Sequence, residues 1–328
     1  MNPNFYDFMQ KYLNLRVAVA VSGGVDSMAL MHMMRDLGMD MVVLHVNHHL
    51  RPSADSESEY IAGHCREMGI PCHVLDWVGD KPATGVEDAA RRARYNLMTT
   101  FCRENGIGYL FIAHQADDQI ETFLLNLARG SGIFGLAGMR RVTVRDGINI
   151  VRPMLDISRA ELQRYCDARG LSCVYDEMND DEKYTRVRMR KNRRAVAETL
   201  GISDGRILLA MENLGRVRDA MDAAVTAAVS SVMTADGRAI FSDSFLFDLD
   251  PDIRLKFIAM LIEKIGGGDY QPRLRALQRA EHKLHTDTKF TLGGCIVRRV
   301  GERILIAREG TSTSFRTRHE NGYKKQEK

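Results

Sequence analysis

Six consecutive residues, Ser22-Gly23-Gly24-Val25-Asp26-Ser27, carry the parts of a phosphate-binding turn. Two glycines let the backbone turn tightly and aim N–H groups at an anion. The Ser22 and Ser27 hydroxyls add donors, and a helix starting behind the loop adds partial positive charge. Asp26 would repel a bare phosphate, and a bridging Mg2+ removes that conflict. No Gly-Lys-Ser/Thr string is present, so the turn is not the lysine-containing phosphate loop. A second string, Ala113-His114-Gln115-Ala116-Asp117-Asp118-Gln119-Ile120-Glu121-Thr122, sets three acids at a helix start, with Asp117 and Glu121 one turn apart. Such carboxylates can hold Mg2+, with Asp26 and Asp117 the candidate ligands, bind an ammonium, or take a proton from an attacking amine. Acids at a helix start also simply complement its dipole.

Other candidates are basic. His48, in His45-Val46-Asn47-His48-His49-Leu50-Arg51-Pro52, and His114 can hydrogen-bond phosphates or steady charge on an activated oxygen, although a lone histidine after a strand is more often structural. Arg91 and Arg94 stand three apart on one helix face and reach nucleotide or nucleic-acid phosphates, while Arg92 points elsewhere. Arg186 and Arg188 open a dense basic run in which Lys191, Arg193 and Arg194 fit a solvated helix face.

The elements that must position these residues alternate. Strands are expected at Arg16 to Val21, Met41 to Val46, Cys72 to Leu75 and Tyr109 to Ala113. Helices are expected near Ser27 to Leu37, Asp55 to Met68, Glu87 to Glu104 and Asp117 to Arg129. Near-continuous apolar strands between helices mean an α/β fold with a doubly wound parallel sheet. Ligands then sit at the strands' carboxyl ends, so the segments after the first, second and fourth strands are where chemistry is expected. Ile133 to Pro153 reads as a Gly-rich loop and a strand-like excursion. Ser158 to Arg169 reads as a helix with a Ser158/Glu161 capping box. After Gly201 three helical segments lead into three apolar strands, so residues 1–200 are expected as the catalytic domain and 201–310 as a second, smaller α+β domain. Residues 311–328 are expected as a disordered basic tail.

Composition narrows the class. With 45% apolar and 27% charged residues among 328, the chain is globular. No apolar run is long enough for a membrane span and no secretion signal opens the chain, so a cytoplasmic location is expected. The six cysteines form no C-x-x-C pair, which argues against a zinc site or redox pair. A homodimer is a fair default.

The loop resembles that of the PP-loop ATP pyrophosphatases (adenine nucleotide α hydrolase-like). Five further strings extend the likeness from about Val17 to about Arg190: the two histidine strings, Glu87-Asp88-Ala89-Ala90-Arg91-Arg92-Ala93-Arg94-Tyr95, Arg152-Pro153-Met154-Leu155, and Tyr184-Thr185-Arg186-Val187-Arg188-Met189-Arg190. Together they resemble the tRNA(Ile)-lysidine synthase family. The resemblance implies a ligase that uses ATP and Mg2+ to adenylate C2 of cytidine 34 in the CAU anticodon of tRNA(Ile), after which L-lysine displaces AMP. It favours Asp118 and Glu121 for lysine or metal work, and Arg186 and Arg188 for closing over the α-phosphate. Gln115 stands where the family commonly has a second histidine, and the region after Gly201 is too short for the two extra C-terminal modules of long members. Two other readings compete with it. A tRNA thiolase would need C-x-x-C pairs, and a dead RNA-binding protein would be expected to have lost the acids retained here.

Overall fold

A computed structural model of the chain describes residues 3–79, 81–82, 84–174, 185–267, 272–286 and 288–311. Within the basic run, the side chains of Thr185, Arg186, Val187, Lys191, Arg194, Val196 and Leu200 lie outside the description. So does the expected tail from residue 312 onward. The chain divides into two compact units, Met1–Gly215 and Arg216–Lys328.

The first unit opens with α1 (Pro3–Met9) and a 3-10 turn, and then alternates as its apolar pattern requires. The order is β1 (Val17–Ala20), α2 (Val25–Asp36), β2 (Met41–Asn47), α3 (Ala54–Glu67), β3 (Cys72–Asp76), α4 (Val86–Glu104), β4 (Tyr109–Phe111) and α5 (Ala116–Ala128). The segment read as a loop and strand-like excursion resolves into α6 (Ile133–Leu136), β5 (Val142–Arg145) and β6 (Ile148–Val151). Next come α7 (Arg159–Ala168), α8 (Thr185–Leu200) and the first turns of α9 (Asp204–Val232). The strands lie in the order β3-β2-β1-β4-β6-β5, parallel throughout except for the antiparallel edge strand β5.

Strand alternation sorts the side chains between two cores. Val17, Val19 and Val43 face α1, α2, α3 and α7 in one. Ala18, Val42 and Leu44 face α4 in the other, against Tyr95, Met98 and Cys102. Both faces of the sheet are covered, which explains why its strands read as unbroken apolar runs. The pattern in the sequence changes after Gly201, whereas the spatial division lies inside α9. The reason is local: Ile207 and Met211 in the first turns of α9 pack on Ile120 of α5.

The second unit holds the rest of α9, β7 (Ala239–Ser242), α10 (Asp243–Phe247), α11 (Pro251–Gly266), α12 (Leu274–Thr286), β8 (Lys289–Leu292), β9 (Cys295–Val300) and β10 (Arg303–Arg308). Its antiparallel sheet runs β7-β10-β9-β8. Phe241, Phe257, Ile262 and Ile304 lie at its core. No helix among the described residues is long and apolar enough to cross a membrane.

At the end of α11 a Cβ added to Gly266 would collide with the Gly293 carbonyl oxygen, a backbone atom that cannot swing aside. Gly266→Ala is therefore expected to destabilise the second unit by about 2–3 kcal/mol. Hydrogen exchange reads this as lost amide protection in α11 and β9, with protection in β1, β2 and β4 retained.

Candidate active site at the carboxyl edge of the parallel sheet

The loop after β1 is held from several directions. Gly23 adopts φ +87°, a conformation that side chains oppose. The Ser27 hydroxyl accepts the Ser22 N–H at 3.1 Å, lies 3.2 Å from the Ser22 hydroxyl and donates to the Gly24 carbonyl at 2.9 Å. Gly24 is the extended N-cap of α2 and offers no capping side chain, so the first amides of the helix face the loop's concavity. Val25 turns the other way, into the core beneath. His45, at the end of β2, lies 2.8 Å through Nδ1 from the Val21 carbonyl and ties that strand to the loop.

Four carboxylates gather beside it, each met by basic or backbone donors. Asp26 Oδ2 accepts from Arg159 Nη1 at 3.0 Å, while its Oδ1 is buried without a hydrogen-bond partner. Asp117 accepts the Arg159 backbone N–H at 2.8 Å on one oxygen and Arg193 Nη1 at 2.7 Å on the other. Asp118 Oδ2 accepts the Gln115 backbone N–H at 3.1 Å, and the Gln115 side chain in turn accepts the Asp117 N–H, which completes a capping box at the head of α5. Glu121, one turn on, is wholly buried and takes Arg190 Nε at 2.7 Å. Among the described residues no three His, Cys, Asp or Glu side chains form a metal-binding group.

The sequence brought Asp26, Asp117, Asp118 and Glu121 to one edge, and the structure places them there. It missed their partners. Arg159 follows the Ser158 N-cap of α7, so the capping box that starts this helix also delivers its first side chain to Asp26. Arg193, expected on a solvated face, has a side chain only 12% exposed and bridges Asp117 and Asp204. The signal was the i, i+3 spacing of Arg190 and Arg193, which sets both on the face of α8 turned to α5. Arg188 is exposed on the same helix. Arg186 lies on its first turn, with a side chain outside the described ones. His114, just past β4, is half-buried.

The remaining candidates form a separate group. His48 lies just past β2, and its imidazole is pushed down to about 4, by burial first and then by Arg94 and other cations. Arg91 and Arg94 lie over Tyr95, with guanidinium carbons 5.4 and 5.8 Å from the ring centre.

Three comparisons with known proteins bear on this arrangement. Residues 1–195 match the family model described as a PP-loop domain. A tRNA(Ile)-lysidine synthase of Ruegeria pomeroyi is 35% identical over 299 residues, covering 90% of this chain and 71% of the relative. One from a Methylobacterium species is 34% identical over 308 residues, covering 89% of each. Among solved structures, the U34-tRNA thiolase NcsA from Methanococcus maripaludis, with its [4Fe-4S] cluster, aligns with a TM-score of 0.53 at 16% identity, covering 65% of this chain and 76% of that one. That likeness speaks to the fold alone. With a PP-loop model matching more than half its length and relatives above 30% identity spanning most of it, the chain belongs to the tRNA(Ile)-lysidine synthase family of PP-loop proteins.

Proposed function

We propose that this chain ligates lysine to C2 of cytidine 34 in the CAU anticodon of tRNA(Ile), using ATP and passing through an adenylated tRNA. The observation that carries this reading is the set of Asp26, Asp117, Asp118 and Glu121 beside an intact PP-loop, in a chain whose relatives are named for that reaction.

The donor set suits Mg2+ at Asp26. Its Oδ1 is a buried acceptor lacking a partner, and its carboxyl is raised from 3.8 to about 6. Burial is the largest cause; Arg159 opposes it, and Asp118 and Asp117 add to it. A divalent cation supplies the charge that such a carboxylate lacks. Asp117 joins as a second ligand only by releasing Arg193, because both its oxygens are engaged. When bound, ATP with Mg2+ turns the C2 oxygen of the cytidine into a leaving group.

The chain's own residues supply the rest. The loop amides and the Ser22 hydroxyl hold phosphate oxygens, the buried Ser27 hydroxyl shapes the loop through Gly24 and Ser22, and Arg186 and Arg188 neutralise charge as pyrophosphate departs. His114 steadies the reacting oxygen. Asp118 binds the lysine ammonium and accepts its proton as the amine attacks, and the buried Glu121 joins it only by releasing Arg190. The alternative of a thiolase has no support from the cysteines: Cys65, Cys102, Cys166 and Cys295 are buried, and none of the six belongs to a C-x-x-C pair.

Two expectations follow for this centre. Because the Asp26 pKa is higher in the folded chain, protonation favours folding, and that contribution is lost as pH rises from about 4 through about 6. In nucleotide-free protein kept in chelator, Asp26→Asn should flatten this slope and raise stability above pH 6 by about 2 kcal/mol. Thermal melts across pH read the change, and the same variant should fail to release pyrophosphate. Asp118→Asn should abolish lysine incorporation while leaving tRNA affinity within about threefold, since the carboxylate acts on the amine and not on the RNA backbone. Radiolabelled lysine supplied with tRNA(Ile) and with a methionine tRNA measures this. Unchanged turnover in that variant removes Asp118 from the chemistry.

A further inference from the structure

Arg91 and Arg94 lie over Tyr95 with Arg152 nearby, and Arg145, which Asp146 partners, covers the same ring at 4.6 Å. Arg152 stands directly beyond β6 and is only 9% exposed. Its Nη1 donates to the Arg140 carbonyl at 3.1 Å and to the Thr143 hydroxyl at 3.0 Å, and its Nε is buried without an acceptor. Across the same edge, beyond β2, His48 Nδ1 is likewise buried without a partner, and the ring stands edge-on to Trp77 at 5.7 Å. Lys81 lies 4.0 Å over that tryptophan. Among the described residues no carboxylate pairs with Arg91, Arg94 or Arg152. Arg94 and Arg152 are drawn out of water beside the exposed Arg91, which costs free energy, and an anion seated among them offsets that cost.

This group stands apart from the carboxylates. Asp26, Asp117 and Glu121 pair with Arg159, Arg193 and Arg190, none of which belongs to it. Its span is also large. β2 and β6 are separated by β1 and β4, so His48 and Arg152 stand roughly 14 Å apart across the strands. A line of cations of that length, with a half-exposed tryptophan at one end, fits a run of successive phosphates with a base to stack.

We propose that Arg91, Arg94, Arg152 and His48, with Trp77 as a stacking face, seat the phosphodiester backbone of the single-stranded RNA that flanks the reacting nucleotide, apart from the loop that takes the triphosphate. The seat rests on the reading of tRNA as substrate. Trp77 is the only tryptophan of the chain, so its fluorescence reports on the seat directly.

The test titrates full-length protein with an RNA stem-loop carrying CAU in its loop, and separately with ATP-Mg2+, in wild type, Arg91→Gln and Arg94→Gln. Arg91 is exposed, so its replacement leaves packing intact. Each variant should bind the stem-loop about 5- to 20-fold more weakly, with the log–log salt slope reduced by about 0.7, and ATP affinity should stay within about twofold. Trp77 emission should change with RNA and not with ATP alone. A loss of ATP affinity with RNA binding intact would overturn the seat, as would unchanged affinity for both. The two readings fail separately. If wild type binds the stem-loop through these arginines but never joins lysine to tRNA, the functional reading falls and the seat stands. If lysine is joined while both variants bind RNA normally, the seat falls.

Discussion

Arg159 joins the two halves of the site. Its guanidinium meets Asp26 on the nucleotide loop, and its backbone N–H meets Asp117 at the head of α5. A single residue at the start of α7 thus sets the spacing between the loop and the carboxylates, and the accuracy of that start matters. Ser158 accepts the Glu161 N–H and Glu161 returns to the Ser158 N–H, so the helix begins at one defined residue. The other end of the carboxylate group is held by α8, through Arg190 to Glu121 and Arg193 to Asp117.

Two kinds of charge environment therefore share one sheet edge. In the first, acids and arginines alternate, and most of the buried charge is matched within the protein; the Oδ1 oxygen of Asp26 is the exception. In the second, around Tyr95, only Arg145 has an acid beside it, Asp146, and among the described residues no carboxylate pairs with Arg91, Arg94 or Arg152. The first arrangement suits small ligands that exchange places with an existing partner. The second suits a ligand that brings its own negative charge, as an RNA backbone does.

Much of the first unit was legible in the sequence because its strands are apolar throughout and its loops carry distinctive residue types. β6 was harder to assign: it has four residues, includes a polar Asn149, and gains its place only by pairing with β4 far along the chain. β7 was missed for the same reason, since Ala239–Ser242 becomes a strand through β10, more than sixty positions away. At the site, the acids were readable because three fall in one helical turn and a half. Arg190 and Arg193 were not, because an arginine in a basic run looks the same whether it faces water or a buried carboxylate, and Arg159, alone at a helix start, meets Asp26 only through the fold. Gln115 was read as a departure from a histidine pattern, and its role as a helix cap came only from the geometry.

Gly23 accepts the Val174 N–H through its carbonyl, and a methyl group in its place would press against the Val174 side chain at 2.9 Å. Two unrelated constraints hold this glycine: a backbone angle and a neighbour from a segment about 150 positions later. Trimming Val174 would lift only the second. Across evolutionary time this position is therefore doubly locked, and drift at 174 cannot by itself open a route to a different residue in the loop.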